Sequence, residues 1–253
     1  MTQNNLPVAT VVLVHAAWAD ASSWNKIIPP LQRKGLQAVA VQIPLSSLSD
    51  DATTLRRFPK RVSGPVVLVG HSYGGAVITA AGSGNPNVKA LVYIAAMAPD
   101  EGETVGELLH RAAPHPSAPA LVPDEDGLLW MPAKGFADAV AHDSPADDTL
   151  LMAATQKPVA IECVQEQMTK PAWKEKPSWF LVAERDRMIA PETQLFMAHR
   201  ARGHILPMEV DHTPLASAPD RVVAIITEAV DAILHEALPD PQRVGGAHEN
   251  RLC

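Results

Sequence analysis

The sequence predicts an α/β fold, a mainly parallel central sheet flanked by helices, with a helical insertion. Three observations predict it. Short unbroken apolar runs alternate with helical ones, as expected where strands buried on both faces of a parallel sheet are joined by crossover helices. One such run, Val66–Val69, passes through Gly70-His71-Ser72-Tyr73-Gly74-Gly75 directly into helix-forming residues, giving a strand, a sharp turn and a helix in succession. The alternation then lapses between residues 104 and 174, which are rich in proline, and resumes afterwards. With 253 residues, 47% of them apolar, the chain can form one sizeable domain with its own core.

The elements follow in order. Val8 to Val14 is a continuous apolar run ending at His15 and reads as the first strand. Ser22 or Ser23 is placed to cap a helix reaching Leu31–Lys34, which Gly35 ends. Gln37 to Ile43 is a second strand, stopped by Pro44. Asp50 to Val62 reads as a helix with Thr53, Leu55, Phe58 and Val62 on its apolar side and Pro59 working against its last turn. After the serine turn and its helix, Val88 to Ala95 is a further buried strand, completing the first part of the core, 1–103.

In 104–174 the helical pieces are Phe136 to Ala141 and Thr149 to Thr155, with Trp130, Met131, Met152 and Trp173 scattered among prolines. An insertion of that length between two strand–helix units is expected to lie as a lid over the carboxyl edge of the sheet. The second part of the core, 175–238, brings a strand at Ser178 to Ala183, a helix opened by Pro191 and running through His199, and a last strand at His204 to Val210. Asp220 is expected to cap a final helix whose apolar face is Val222, Val223, Ile226, Ala229, Val230, Ile233 and Leu234. Residues 239–253 form a polar tail, expected to be disordered.

Composition narrows the function. A net charge of −7 argues against a nucleic-acid surface, which needs clustered Lys and Arg. Small neutral or mildly hydrophobic partners fit better. The first ten residues lack a basic start and an apolar segment, and no later apolar run reaches the eighteen or so residues of a membrane span. No leader and no membrane partner are therefore expected, and the location expected is cytoplasmic; a homodimer stays open. Cys163 and Cys253 are the two cysteines, too few for a disulfide framework, and the ten histidines include no H-E-x-x-H, so no metal site is expected.

The serine turn carries chemistry. Side chains at Gly70 and Gly74 would crowd it, and Gly75 would let the following helix approach closely. Ser72 is the candidate nucleophile, and a serine needs a base whose tautomer is fixed by a third group. His212 directly follows the last strand and is chosen as that base, whereas His15 and His71 are read as loop-shaping. Asp186, three residues beyond the strand end Ala183, is the leading acid, with Glu184 and Asp100 as rivals; Asp211 would point away along the chain. Ser, Asp and His would then share the carboxyl ends of parallel strands, where open α/β sheets place their sites. The donors expected to receive an oxyanion are the backbone N–H groups of Tyr73 and Ala17. Trp18 and Trp130 are candidate substrate-binding walls.

His15-Ala-Ala-Trp-Ala-Asp-Ala-Ser-Ser-Trp24, Gly70-His-Ser-Tyr-Gly-Gly75, Tyr93-Ile-Ala-Ala-Met-Ala-Pro-Asp-Glu-Gly102 and Asp211-His212 together resemble the α/β-hydrolase superfamily, in particular small bacterial esterases similar to plant methylesterases and hydroxynitrile lyases. The resemblance extends to about Leu238. It implies a cofactor-free serine hydrolase of the α/β-hydrolase fold with a helical cap, acting on small to medium carboxylic esters through an acyl-enzyme. Hydroxynitrile-lyase-like or perhydrolase chemistry on the same three residues, or a receptor-like binder with little turnover, are the alternatives. Two positions depart from the family pattern. Ala16 replaces the usual glycine after His15, and Thr213 stands where such lyases carry a lysine, which lowers the lyase reading.

Overall fold

In the computed structural model, residues 9–62 and 64–236 are described. Six parallel strands form the sheet in the order β2-β1-β3-β4-β7-β8. They are β1 (Thr10–Val14), β2 (Gln37–Val41), β3 (Val66–His71), β4 (Val88–Ile94), β7 (Ser178–Ala183) and β8 (His204–Met208). A separate antiparallel pair, β5 (Leu128–Leu129) and β6 (Val159–Ala160), lies within the insertion.

The central strands are largely apolar because both faces are covered, so alternate residues enter opposite cores. Val12, Val14, Leu68, Tyr93 and Phe180 pack on the face of α2 (Leu48–Arg56), α3 (Tyr73–Gly82) and α8 (Pro191–Arg200). Val11, Leu13, Val69, Val92 and Leu181 pack on the other, against α1 (Ile28–Arg33) and α10 (Pro219–Glu236). The edge strand β8 is largely exposed and carries Pro207, a residue a parallel sheet tolerates at its rim.

Several boundaries differ from the sequence reading, each for a local reason. The first strand begins at Thr10; Val8 lies outside the described residues. Neither Ser22 nor Ser23 caps the first helix. Asp20 instead accepts from the Ser22 amide and caps a short 3-10 turn, Ala21–Trp24, and α1 starts at Ile28 with Pro29 in its first turn. Gly35, at φ +81°, does end α1. Ser47 caps α2, moving that helix toward the N-terminus, and Pro59 opens a separate turn, so no helix reaches Val62. The last strand stops at Met208, before Val210. Asp220 sits inside the first turn of α10, after Pro219, and Ile225 joins the buried face. The tail 239–253 lies outside the described residues.

The insertion folds as α4 (Val105–Leu109), α5 (Ala133–Gly135) continuing into a π-helical turn Phe136–Val140, α6 (Ala146–Thr155) and α7 (Glu162–Gln165). Thr104 and Glu107 close a capping box at α4, each side chain taking the other's backbone amide. Among the described residues no helix is long and apolar enough to cross a membrane, and no cluster of side chains could hold a metal ion.

Candidate active site

Ser72 ends the run of β3 and precedes α3, at φ 52° and ψ −120°, a conformation that costs a side chain energy. Its glycine neighbours explain how the turn closes. A Cβ at Gly70 would lie 2.4 Å from the Gly74 carbonyl oxygen, and one at Gly75 2.4 Å from that of Met97. The turn thus presents the Ser72 hydroxyl at the carboxyl end of the sheet.

His212 lies on the loop after β8, and Asp186 on the loop after β7. The structure brings both to Ser72: His212 Nε2 is 2.9 Å from Ser72 Oγ, and Nδ1 is 2.7 Å from Asp186 Oδ2. The carboxylate accepts from Nδ1–H, which leaves Nε2 free to accept the serine proton. Asp186 is itself held by donors from the Met188 amide (2.7 Å), the Ile189 amide (2.9 Å) and Gln194 Nε2 (2.7 Å). Glu184 is exposed, and Asp100 pairs with Lys174 at 2.5 Å, so neither rival acid reaches the imidazole.

The two other strand-end histidines shape loops. His71 donates Nε2–H to the carbonyl oxygen of His212 at 2.7 Å, fixing the segment that carries the imidazole. His15 donates Nδ1–H to Ala16 O and accepts from the Ile43 amide, joining the loop after β1 to the segment after β2. Burial drives both pKa values down, to about 3 for His71 and about 4 for His15, so both are neutral.

Ala17 and Tyr73 both line the cavity beside Ser72. Among the described residues neither backbone amide has a hydrogen-bond acceptor. Ala16 does not take up a left-handed conformation; Trp18 does, at φ 55°, so the alanine is accommodated and the next turn carries the strain.

The cavity has a volume of about 590 Å³. The insertion supplies its apolar wall through Leu109, Leu121, Phe136, Val140, Met152 and Val159, while Asp20, Lys26 and Asp148 bring charge to it. Trp18 lines it, with its indole N–H donating to Leu129 O at 2.9 Å. Trp130 does not. It is 48% exposed and bonded to Asp124, because Leu129 and Met131 turn inward and the extended chain alternates sides.

Two features escaped the sequence reading. Asp211 is fully buried and points away from His212, as its position implies, but toward the insertion: it accepts from the Asp143 amide and Ser144 Oγ, as well as from the Thr213 amide and Ser217 Oγ. Asp51 is also fully buried, against Tyr73. A polar residue on an apolar helix face was the available signal for Asp51; nothing local marked Asp211.

A serine held on a strained strand-to-helix turn, with an imidazole and a carboxylate at neighbouring strand ends of a parallel sheet, is the arrangement of the α/β-hydrolase class. A model described as the alpha/beta hydrolase family matches residues 11–225, and the chain belongs to that family. It is 28% identical over 243 residues to the alpha/beta hydrolase nvfD of Aspergillus novofumigatus, covering 87% of this chain and 95% of that one. It is 23% identical over 248 residues to methylesterase 2 of Arabidopsis thaliana, covering 85% and 94% of the two chains. Among solved structures, a pyrethroid hydrolase from Sphingobium faniae aligns with a TM-score of 0.78 at 20% identity, covering 89% of this chain and 98% of that one.

Proposed function

We propose that the protein is a carboxylic-ester hydrolase acting through a Ser72-His212-Asp186 triad and an acyl-enzyme. The observation that carries this reading is the continuous hydrogen-bonded chain from Ser72 Oγ through the imidazole to Asp186, 2.9 Å and 2.7 Å long. His212 Nε2 takes the hydroxyl proton as Oγ bonds to the ester carbonyl carbon. The Ala17 and Tyr73 amides receive the oxyanion. Collapse breaks the bond to the alcohol, which leaves with the proton from Nε2. Water then gives a proton to Nε2 and attacks the acyl-enzyme, and the acid departs as the proton returns to Ser72.

The similarity to methylesterase 2, whose name denotes ester cleavage, supports that chemistry. The apolar wall favours a small to medium ester with an acyl or aryl group that the insertion, acting as a cap, removes from water. At Thr213 the hydroxyl donates to Val140 O at 2.8 Å and offers no cation to a departing cyanide, which weighs against the lyase alternative.

The test is a panel of p-nitrophenyl and methyl esters, varied separately in acid and alcohol, on wild type and Ser72→Ala. The reading expects at least about a thousandfold loss of kcat in the variant on every ester that wild type cleaves. Equal turnover by the two proteins would refute it.

A further inference from the structure

Asp51 lies on the buried stripe of α2 between Leu48 and Leu55, with no exposed surface. A carboxylate in such a place is costly unless it is fully bonded. Three segments supply its donors: the Tyr73 hydroxyl at the start of α3 (2.7 Å to Oδ2), the Leu45 amide between β2 and α2 (2.8 Å to Oδ1), and the Cys163 thiol on α7 of the insertion (3.8 Å to Oδ2). Burial raises the Asp51 pKa, pushes the Cys163 thiol up to about 12 and raises the Tyr73 hydroxyl well above its ordinary value, so both of these remain protonated donors.

The hydrolysis proposed above gives this carboxylate no chemical step, yet it holds the side chain of the residue whose amide faces the oxyanion. Tyr73 directly follows Ser72, and a strained conformation such as that of Ser72 persists only where its surroundings over-determine it. A hydroxyl donating to a buried carboxylate is a strong, directional tie. We propose that Asp51 is a positioning residue: by anchoring the Tyr73 side chain it fixes the Tyr73 amide against the developing oxyanion. A carboxylate that only closed the turn at Leu45, where φ is 62°, would leave that amide indifferent to its loss.

This inference rests on the serine-hydrolase reading, and its experiment separates the two. Wild type, Ser72→Ala, Asp51→Asn, Tyr73→Phe and the Asp51→Asn/Tyr73→Phe double variant are compared on one p-nitrophenyl ester. Each is also titrated with a trifluoromethyl ketone, which forms a tetrahedral adduct on serine, and with the matching methyl ketone, which binds without one. Displacing one oxyanion donor rather than deleting it is expected to lower kcat about tenfold in Asp51→Asn and Tyr73→Phe, with KM nearly unchanged. The trifluoromethyl ketone should weaken in parallel, and methyl-ketone affinity should hold. Because Asp51 acts through the Tyr73 hydroxyl, the double variant should lose little more than Tyr73→Phe.

A rise in KM at constant kcat, or losses that multiply in the double variant, would overturn the inference. If Asp51→Asn does not fold, Tyr73→Phe, which removes one oxygen atom, carries the test: unchanged kcat and trifluoromethyl-ketone affinity would overturn it. Activity lost in Ser72→Ala but intact in both Asp51→Asn and Tyr73→Phe would sink the positioning role alone. Wild-type turnover by Ser72→Ala would bring down both readings.

Discussion

A Cβ on Gly74 would sit 2.6 Å from the carbonyl oxygen of Val14 and 2.7 Å from that of His15, both backbone atoms that cannot give way without moving β1. Gly74→Ala is therefore expected to destabilise the fold by about 3 kcal/mol or more, read as a lowered midpoint in urea. An unchanged midpoint would mean that the turn is looser than its contacts imply. At Asp186 the expected effect is on turnover. Asp186→Asn keeps the shape but offers His212 Nδ1 an amide in place of one carboxylate oxygen, favouring the wrong tautomer. A fall in kcat of about ten-thousandfold is expected from the same exchange in other triads, measured on any ester the wild type cleaves. These residues were legible because their chemistry requires a local signature: glycines that admit the turn, and a histidine and an acid just past strand ends. The proposed oxyanion donors rest on position alone, since backbone amides carry no side-chain mark. Trp130 was misjudged because size and hydrophobicity do not tell which side of an extended segment a residue takes.

Among the elements, the connection of the insertion to the core stands out. Asp211 bonds the segment 143–144, Thr213 donates to Val140 O, and Arg187 donates to Asp138 O, so the loops carrying His212 and Asp186 are both fastened to the π-helical turn and the residues that follow it. Asp211→Ala would leave the buried Thr213 amide unpaired and release the Asp143 amide and Ser144 hydroxyl, and is expected to cost about 2 kcal/mol, with earlier proteolysis between residues 136 and 155. Denaturant unfolding and timed digestion check it; wild-type resistance in both would show that the fastening is not made through Asp211. The half-buried pair Lys26–Asp148, 2.6 Å long, should contribute at most about 1 kcal/mol. Elements with continuous apolar runs could be read from the sequence because burial on two faces leaves little freedom in composition. Helix starts were misplaced where capping decided them, as at Ser47 and Asp20, and the short pieces α4, α7 and β5–β6 were missed because their stability comes from contacts with the core rather than from a repeating pattern.

For the whole molecule, the neutral buried histidines make stability depend on pH. In the unfolded chain both titrate near 6.5, whereas burial holds His15 near 4 and His71 near 3 in the fold. Above pH 6.5 they are neutral in both states and add no pH dependence. As pH falls from 6.5 toward 4, the unfolded chain binds protons that the folded one refuses, and each histidine should remove about 1.4 kcal/mol of stability per pH unit. Urea midpoints at pH 7.5 and pH 5 should therefore differ clearly, and equal midpoints would contradict the burial of these two rings. The central claim, that one serine at the carboxyl edge of this sheet is activated by the imidazole beside it, is tested most directly by reaction with a fluorophosphonate followed by peptide mass mapping. The account predicts a single adduct on Ser72, formed in wild type and lost or greatly slowed in His212→Ala. An adduct on another residue, or equal labelling of Ser72 with and without His212, would contradict it.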